Sequence, residues 1–437
     1  MKQIINPSAS EWPELCKRPQ LELDFLEGSV NNILERVRKS GDAALTEFTK
    51  QFDGVVLAKP VVTPEEVSEA VQKLPADLKT AIITAAKNIE VFHAAQKRSV
   101  EKIETMPGVT CWRKATPIQK VGIYIPGGTA PLFSTVLMLG IPARLAGCTE
   151  IVLCTPPGKN GEINPAILFA AQLTGITKIF KAGGAQAIAA MAYGTESIPP
   201  VNKIFGPGNQ YVTKAKQIVS QQGIAIDMPA GPSEVLIIAD EVANPAYIAA
   251  DLLSQAEHGV DSQVVLVSTS GKILTAVEQE LEKQLATLPR KDIAIEALNN
   301  SLSIRFSDEQ TLIGFVNAYA PEHLIINTQN NTALEQQIVN AGSIFLGAYT
   351  PEAAGDYASG TNHTLPTNGF AHAFGGVALE SFTKYITVQE ITKAGLQVIG
   401  PVVETMAEAE QLKAHALAVR VRLDENSSSR QKAVDNR

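Results

Sequence analysis

The sequence predicts an α/β fold with mainly parallel sheets, flanked by helical segments. Three observations carry this. Beyond about residue 120, short β-branched apolar runs alternate with Ala-rich helical stretches such as 164–174 and 184–194. Strands that alternate with helices in this way pair in parallel. Residues 29–104 read as mostly helical, and a last helix is expected over about 404–424, followed by a polar tail.

The elements follow from local signals. Thr63-Pro64-Glu65-Glu66 starts a helix, with a capping Thr, Pro at the first position and Glu closing the box. Strands are expected at Val121–Ile125, Ile151–Cys154, Thr177–Phe180, Lys203–Phe205, Val235–Ala239, Val264–Ser268 and Ser343–Leu346. Asn244-Pro245 opens a helix that Gly259 can end. No repeat of fixed period interrupts the pattern.

A chain of 437 residues is long enough for two or three domains with real cores. Its net charge of −8, with no long basic run, argues against a nucleic-acid partner. No stretch reaches the roughly 18 apolar residues of a membrane helix. Met1 to Ser8 carries one basic residue and too short an apolar run for a secretion signal. Cys16, Cys111, Cys148 and Cys154 form no C-x-x-C pair and read as reduced thiols of a cytoplasmic protein.

Chemistry concentrates in three short runs: Ser254 to Gly259, Ala320 to Leu324, and Gly355 to His363. They hold half of the six histidines, each beside a carboxylate or carboxamide. Gln255 and His258 stand three residues apart at a helix end, where free carbonyls favour a cation. A polar helix end that binds nothing fits the same residues. Asp356 is expected in a loop between Gly355 and Gly360, either facing a ligand or closing an Asx-turn. Glu322-His323 is either an acid–base pair at the start of a strand or helix, or a solvated surface pair. Glu410 and His415 are expected on the last helix, about 140° and about 7.5 Å apart. That is too divergent to chelate one ion, but it suits two ends of a small ligand; an exposed helix face is the alternative. Two glycine-bearing junctions, 123–128 and 204–211, could hold a nucleotide. The second has G-x-G without the third glycine, with Asp227 about 20 residues on, a degenerate fingerprint that two tight turns would also produce.

Together these runs resemble the histidinol dehydrogenase family over nearly the whole chain. The most specific segment is Ile226-Asp227-Met228-Pro229-Ala230-Gly231-Pro232-Ser233-Glu234, and the other runs match in order and context. The resemblance implies two Rossmann-like domains with parallel sheets plus small helical N- and C-terminal extensions. Residues 1–22 would be an N-terminal arm, 23–123 with 235–376 a first α/β domain, 124–234 a second, NAD-binding domain, and 377–437 a helical extension reaching the partner of a homodimer. It implies oxidation of L-histidinol through L-histidinaldehyde to L-histidine by two NAD-dependent steps. One zinc per subunit would be held by Gln255, His258, Asp356 and His415, groups that also meet the substrate. His323 would be the general base and touch substrate, a task suited to a pKa near neutrality. Glu322 would activate water, Ser233 and His363 would line the substrate pocket, and Glu410 would bind the far imidazole nitrogen. Tyr124, Gln186 and Asn209 would contact NAD. Two rivals stay open. A zinc hydrolase using Glu322 would leave both junctions idle. A same-fold dehydrogenase for another amino alcohol or diol would have no use for Glu410, since imidazole wants a carboxylate partner and a plain diol does not.

Overall fold

A computed structural model describes residues 1–19, 26–127, 131–228 and 231–424. Gly128, Pro229, Ala230 and the polar tail lie outside the described residues. The chain divides into two compact units: Met1–Gln96 with Ile118–Phe382, and Lys97–Pro117 with Thr383–Arg437.

The larger unit holds two parallel sheets. One has six strands in the spatial order Lys2–Ile5, Leu302–Arg305, Gln263–Ser268, Glu234–Ala239, His323–Asn327, Ser343–Leu346. The other has five, ordered Lys178–Lys181, Glu150–Thr155, Lys120–Tyr124, Lys203–Phe205, Ala225–Ile226. Every expected strand is present. Both sheets are covered on both faces, so their strands read as continuous apolar runs rather than alternating ones. In Glu234–Ala239 all six residues are buried, Val235 and Ile237 in one core and Leu236 and Ile238 in the opposite one. Val121 and Ile123 likewise face one core and Tyr124 another.

Residues 27–94 supply three helices, Glu27–Phe48, Pro64–Lys73 and Ala76–Ala94. Thr63 and Glu66 form the expected capping box. These helices pack on the five-stranded sheet, in the cores of Val121 and of Tyr124. That packing groups them with the expected NAD-binding segment, whereas the expected domain joined 23–123 to 235–376. The N-terminal arm is also more than an extension, since Lys2–Ile5 is the edge strand of the six-stranded sheet.

The smaller unit corrects three expectations. Lys102–Met106, at the end of the stretch read as mostly helical, is a strand, and the C-terminal extension holds another, Thr383–Ile391. Both pair antiparallel with Val109–Pro117. The last helix is two helices, Lys393–Ala409 and Lys413–Leu423, broken at Gln411, whose φ is 61°. Glu410 and His415 therefore sit on either side of a turn, and the straight-helix spacing does not apply.

Candidate active site

The acid–base cluster lies at the beginning of the strands of the six-stranded sheet. His323 is the first residue of its strand and Glu322 precedes it. Both are buried, at 3% and 5% exposure, which excludes a solvated surface pair. One neighbouring residue holds them both. The backbone N–H of Glu234 donates to Glu322 Oε2 at 2.9 Å, and the carbonyl of Glu234 lies 3.1 Å from His323 Nδ1. A carbonyl can only accept, so the proton is on Nδ1. Among the described residues His323 Nε2 has no hydrogen-bond partner; it is buried 3.5 Å from Asp356 Oδ1.

Helix Pro245–Ala256 is capped by the Asn244 side chain and ends before Gly259, with Glu257 as its cap. Gln255 is fully buried in the last turn, and its Nε2 is 3.2 Å from His258 Nδ1 in the next. Gln255 Oε1 is buried with no partner among the described residues. Asp356 is not in a loop but in the helix Glu352–Tyr357. Gly355 is there for packing, because a Cβ would meet the Phe345 ring at 2.6 Å. His363 Nδ1 donates to the Asp356 carbonyl at 2.8 Å, and its Nε2 is 3.0 Å from Thr135 Oγ1. The Ser233 carbonyl accepts from Gln263 N–H, just ahead of Glu234.

Charge is strongly perturbed here. Burial pushes Glu322 up to about 7 and Glu352 to about 8. Burial alone would lower His323, but Glu352, then Glu322 and Asp356, outweigh it and hold the ring well above the usual imidazole range. Asp356 is held below the carboxylate range despite its burial, by His323 first. His258 keeps a solvent-facing edge, yet the chain packed around its ring lowers its pKa; burial also lowers His363. These groups titrate as a set.

Tyr124, Gln186 and Asn209 line a cavity of about 1230 Å³ at the carboxyl ends of the five-stranded sheet. It opens where Lys120–Tyr124 lies between strands leading in opposite directions, the place where open α/β sheets bind nucleotides. Tyr124 Oη accepts the Gly184 N–H at 2.9 Å, and the Asn209 side chain caps helix Gln210–Gln221. At the second junction Gly206 has φ 122°, and a Cβ there would meet the Tyr124 carbonyl oxygen at 2.0 Å. Asp227 accepts the Gly206 N–H at 2.8 Å and pairs with Lys216 at 2.5 Å, so it pins the turn.

Of the expected site residues, the larger unit gathers Gln255, His258, Glu322, His323, Asp356 and His363. Glu410 and His415 belong to the smaller unit and are exposed. The His, Cys, Asp and Glu atoms that converge tightly enough for an ion, among the described residues, are those of His323, Glu352 and Asp356, within 4.8 Å of one another. Only Asp356 is common to this group and the expected ligand set. The sequence reading missed Glu352, Glu234, Thr135 and Arg18. Glu352 had a signal: Pro351 before it marks a helix start, and Asp356 four residues on shares its face. Glu234 closes the most specific family segment, but its pairing with Arg18 had no signal, since 216 residues separate them.

A parallel α/β scaffold with a nucleotide-sized cavity and a buried acid–imidazole pair defines the class, an α/β enzyme built for acid–base chemistry. The family model for histidinol dehydrogenase matches residues 16–423. Histidinol dehydrogenase of Bacteroides fragilis is 61% identical over 97% of this chain and 99% of its own length. The chloroplastic enzyme of Arabidopsis thaliana is 53% identical over 95% of this chain and 90% of its own. The crystal structure of histidinol dehydrogenase from Elizabethkingia anophelis, 55% identical, superposes with a TM-score of 0.96 over 98% of this chain and 99% of its own. The chain belongs to the histidinol dehydrogenase family and is an NAD-dependent oxidoreductase. Neither the hydrolase nor the diol dehydrogenase is favoured by these likenesses. No described helix is long and apolar enough to cross a membrane.

Proposed function

We propose that the protein converts L-histidinol to L-histidine, the end of histidine biosynthesis, by two oxidations at one site. The observation that carries this is the Glu234 clamp, which orients a carboxyl and an imidazole together and turns His323 Nε2 toward Asp356. NAD, when bound, supplies the electron acceptor of both oxidations, and Tyr124, Gln186 and Asn209 would contact it. His323 Nε2 takes the alcohol proton in the first step. Glu322, with a pKa of about 7, can take a proton from the water that hydrates the aldehyde in the second.

Gln255, His258, Asp356 and His415 would hold zinc. The partnerless, fully buried Gln255 Oε1 suits a cation, and a set of nitrogen and oxygen donors without thiolate suits a site that takes up further ligands. Zinc there would orient substrate and polarise its oxygen. With Asp356 engaged by a cation, one carboxylate that keeps His323 charged is neutralised, and the ring moves back toward a base's range. Ser233 and His363 would line the substrate, with Glu410 on the far imidazole nitrogen.

The working form is a homodimer in which the smaller unit of one chain completes the site of the other. Val398, Val402, Met406, Leu417 and Val421, all at least half exposed on the last two helices, support such a contact. Four free cysteines support a cytoplasmic location. The test is NADH formed per histidinol consumed by the pure protein. Two are expected. One, with aldehyde accumulating, would reject the second step, and none would reject the substrate.

A further inference from the structure

Arg18, on the N-terminal arm, is 8% exposed and spends its donors on one small region. Its Nε lies 2.6 Å from Glu234 Oε2 and its Nη2 3.1 Å from Glu234 Oε1. Nη1 donates to the Cys16 carbonyl at 2.6 Å and Nη2 to the Tyr319 carbonyl at 2.5 Å. The guanidinium also lies 3.5 Å over the Tyr319 ring, whose hydroxyl donates to Gln263 Oε1 at 2.7 Å. Gln263 is the sheet neighbour of Glu234. The four residues thus close a ring around the start of one strand.

Stability alone is a weak reason for such a pair. Two charges this far from water cost as much as they return, and apolar replacements of similar size are often neutral or stabilising. What the pair does fix is Glu234, whose N–H holds Glu322 and whose carbonyl holds His323. Any drift of Glu234 would turn the carboxylate and the imidazole together.

We infer that the buried Arg18–Glu234 ion pair is a positioning device that sets the geometry of both proton-handling residues from the N-terminal arm. This rests on the roles proposed for Glu322 and His323. Arg18 bonds to neither group and acts through Glu234, the residue whose backbone holds both.

Arg18→Lys keeps the charge but loses the planar fork and its reach to two carbonyls. In the full-length protein, single-turnover NADH formation should slow about tenfold in both oxidations, because misplacing reacting groups by a fraction of an ångström is enough for that. Burst amplitude per site and KM for histidinol and NAD should stay within about twofold. Arg18→Met with Glu234→Leu should show the same slowing with a melting temperature no lower than that of the unaltered protein; it decides the matter if Arg18→Lys does not fold. A purely structural staple would lower melting temperature or amplitude and leave the rate constants of folded sites intact, and that result overturns the inference. Glu322→Gln and His323→Asn are measured alongside. If both run at full rate, the proposed roles fail. If both are slow while the Arg18 variants are not, only the positioning claim fails.

Discussion

Gly342→Ala should disable chemistry from a position with no side chain of its own. Gly342 has no left-handed φ, so the substitution acts by space alone. Its N–H donates to the Pro321 carbonyl at 2.9 Å, and the next residue's N–H donates to the Glu322 carbonyl, also at 2.9 Å. A Cβ there would stand 2.5 Å from the Glu322 carbonyl oxygen and 3.2 Å from Pro366 Cδ. Ordinary contact begins at 3.4 Å, so the backbone of Glu322 must retreat by about 0.9 Å. The obstacle is main chain and cannot swing aside. Because His323 follows directly, both groups move. A displacement near 1 Å costs on the order of 10²-fold in rate, and the overpacking itself costs about 1–3 kcal/mol. Stopped-flow single turnovers, starting from histidinol and separately from the aldehyde, give the two rate constants; thermal melting gives the stability. Gly28→Ala, in a helix with nothing within 4 Å, is the control and should lose nothing. A folded Gly342→Ala protein with both rate constants within about twofold of the unaltered one would show that sub-ångström placement is not limiting here.

Four further outcomes are expected. Glu322→Gln should slow aldehyde oxidation more than alcohol oxidation, and His323→Asn both, by about 10²–10⁴-fold; a Glu322→Gln defect confined to the first step would reverse the assignment. Chelation should abolish turnover and zinc restore it, whereas full activity in a verified metal-free sample would remove zinc from the scheme. Equal amounts of His258→Ala and His415→Ala, each inactive alone, should recover roughly a quarter of activity on random re-assembly, since about half the dimers are mixed with one intact site of two; proven heterodimers without activity would mean a self-contained site. In metal-free protein, burial raises Glu322 from 4.5 to about 7, so the stability linked to its proton is complete below about pH 4.5 and lost as pH rises through about 7. Glu322→Gln should flatten that decline in chemical denaturation, and an unchanged slope would deny the shift.

The strands of both parallel sheets were legible where they carry unbroken apolar runs, as in Val235–Ala239 and Val264–Ser268, because burial on both faces leaves a mark in every residue. The capping box at Thr63 and the cap at Asn244 were legible because their hydrogen bonds span only a few residues. Local reading failed where a distant partner decides conformation. Thr383–Ile391 is a strand because Val109–Pro117, more than 260 residues earlier, lies beside it. His323 begins a strand that local pattern did not mark, held between Val235 and Ser343.

The same division runs through the site. Residue types and spacing marked Gln255 with His258, Glu322 with His323, and Asp356 as chemical, and the family resemblance gave them roles. Sequence also offered the two glycine junctions as a nucleotide site, with two tight turns as the alternative, and a cavity lies there, at carboxyl ends of strands. What only the tertiary structure decided is how the acid and base are held. They sit at the opposite, amino-terminal ends of the other sheet, gripped by the backbone of Glu234, which Arg18 fixes from across the chain. A backbone hydrogen bond is indifferent to side-chain identity, and a buried ion pair ties residues far apart in sequence. Neither leaves a local pattern, so the groups proposed for the chemistry were visible in the sequence and the groups proposed to aim them were not.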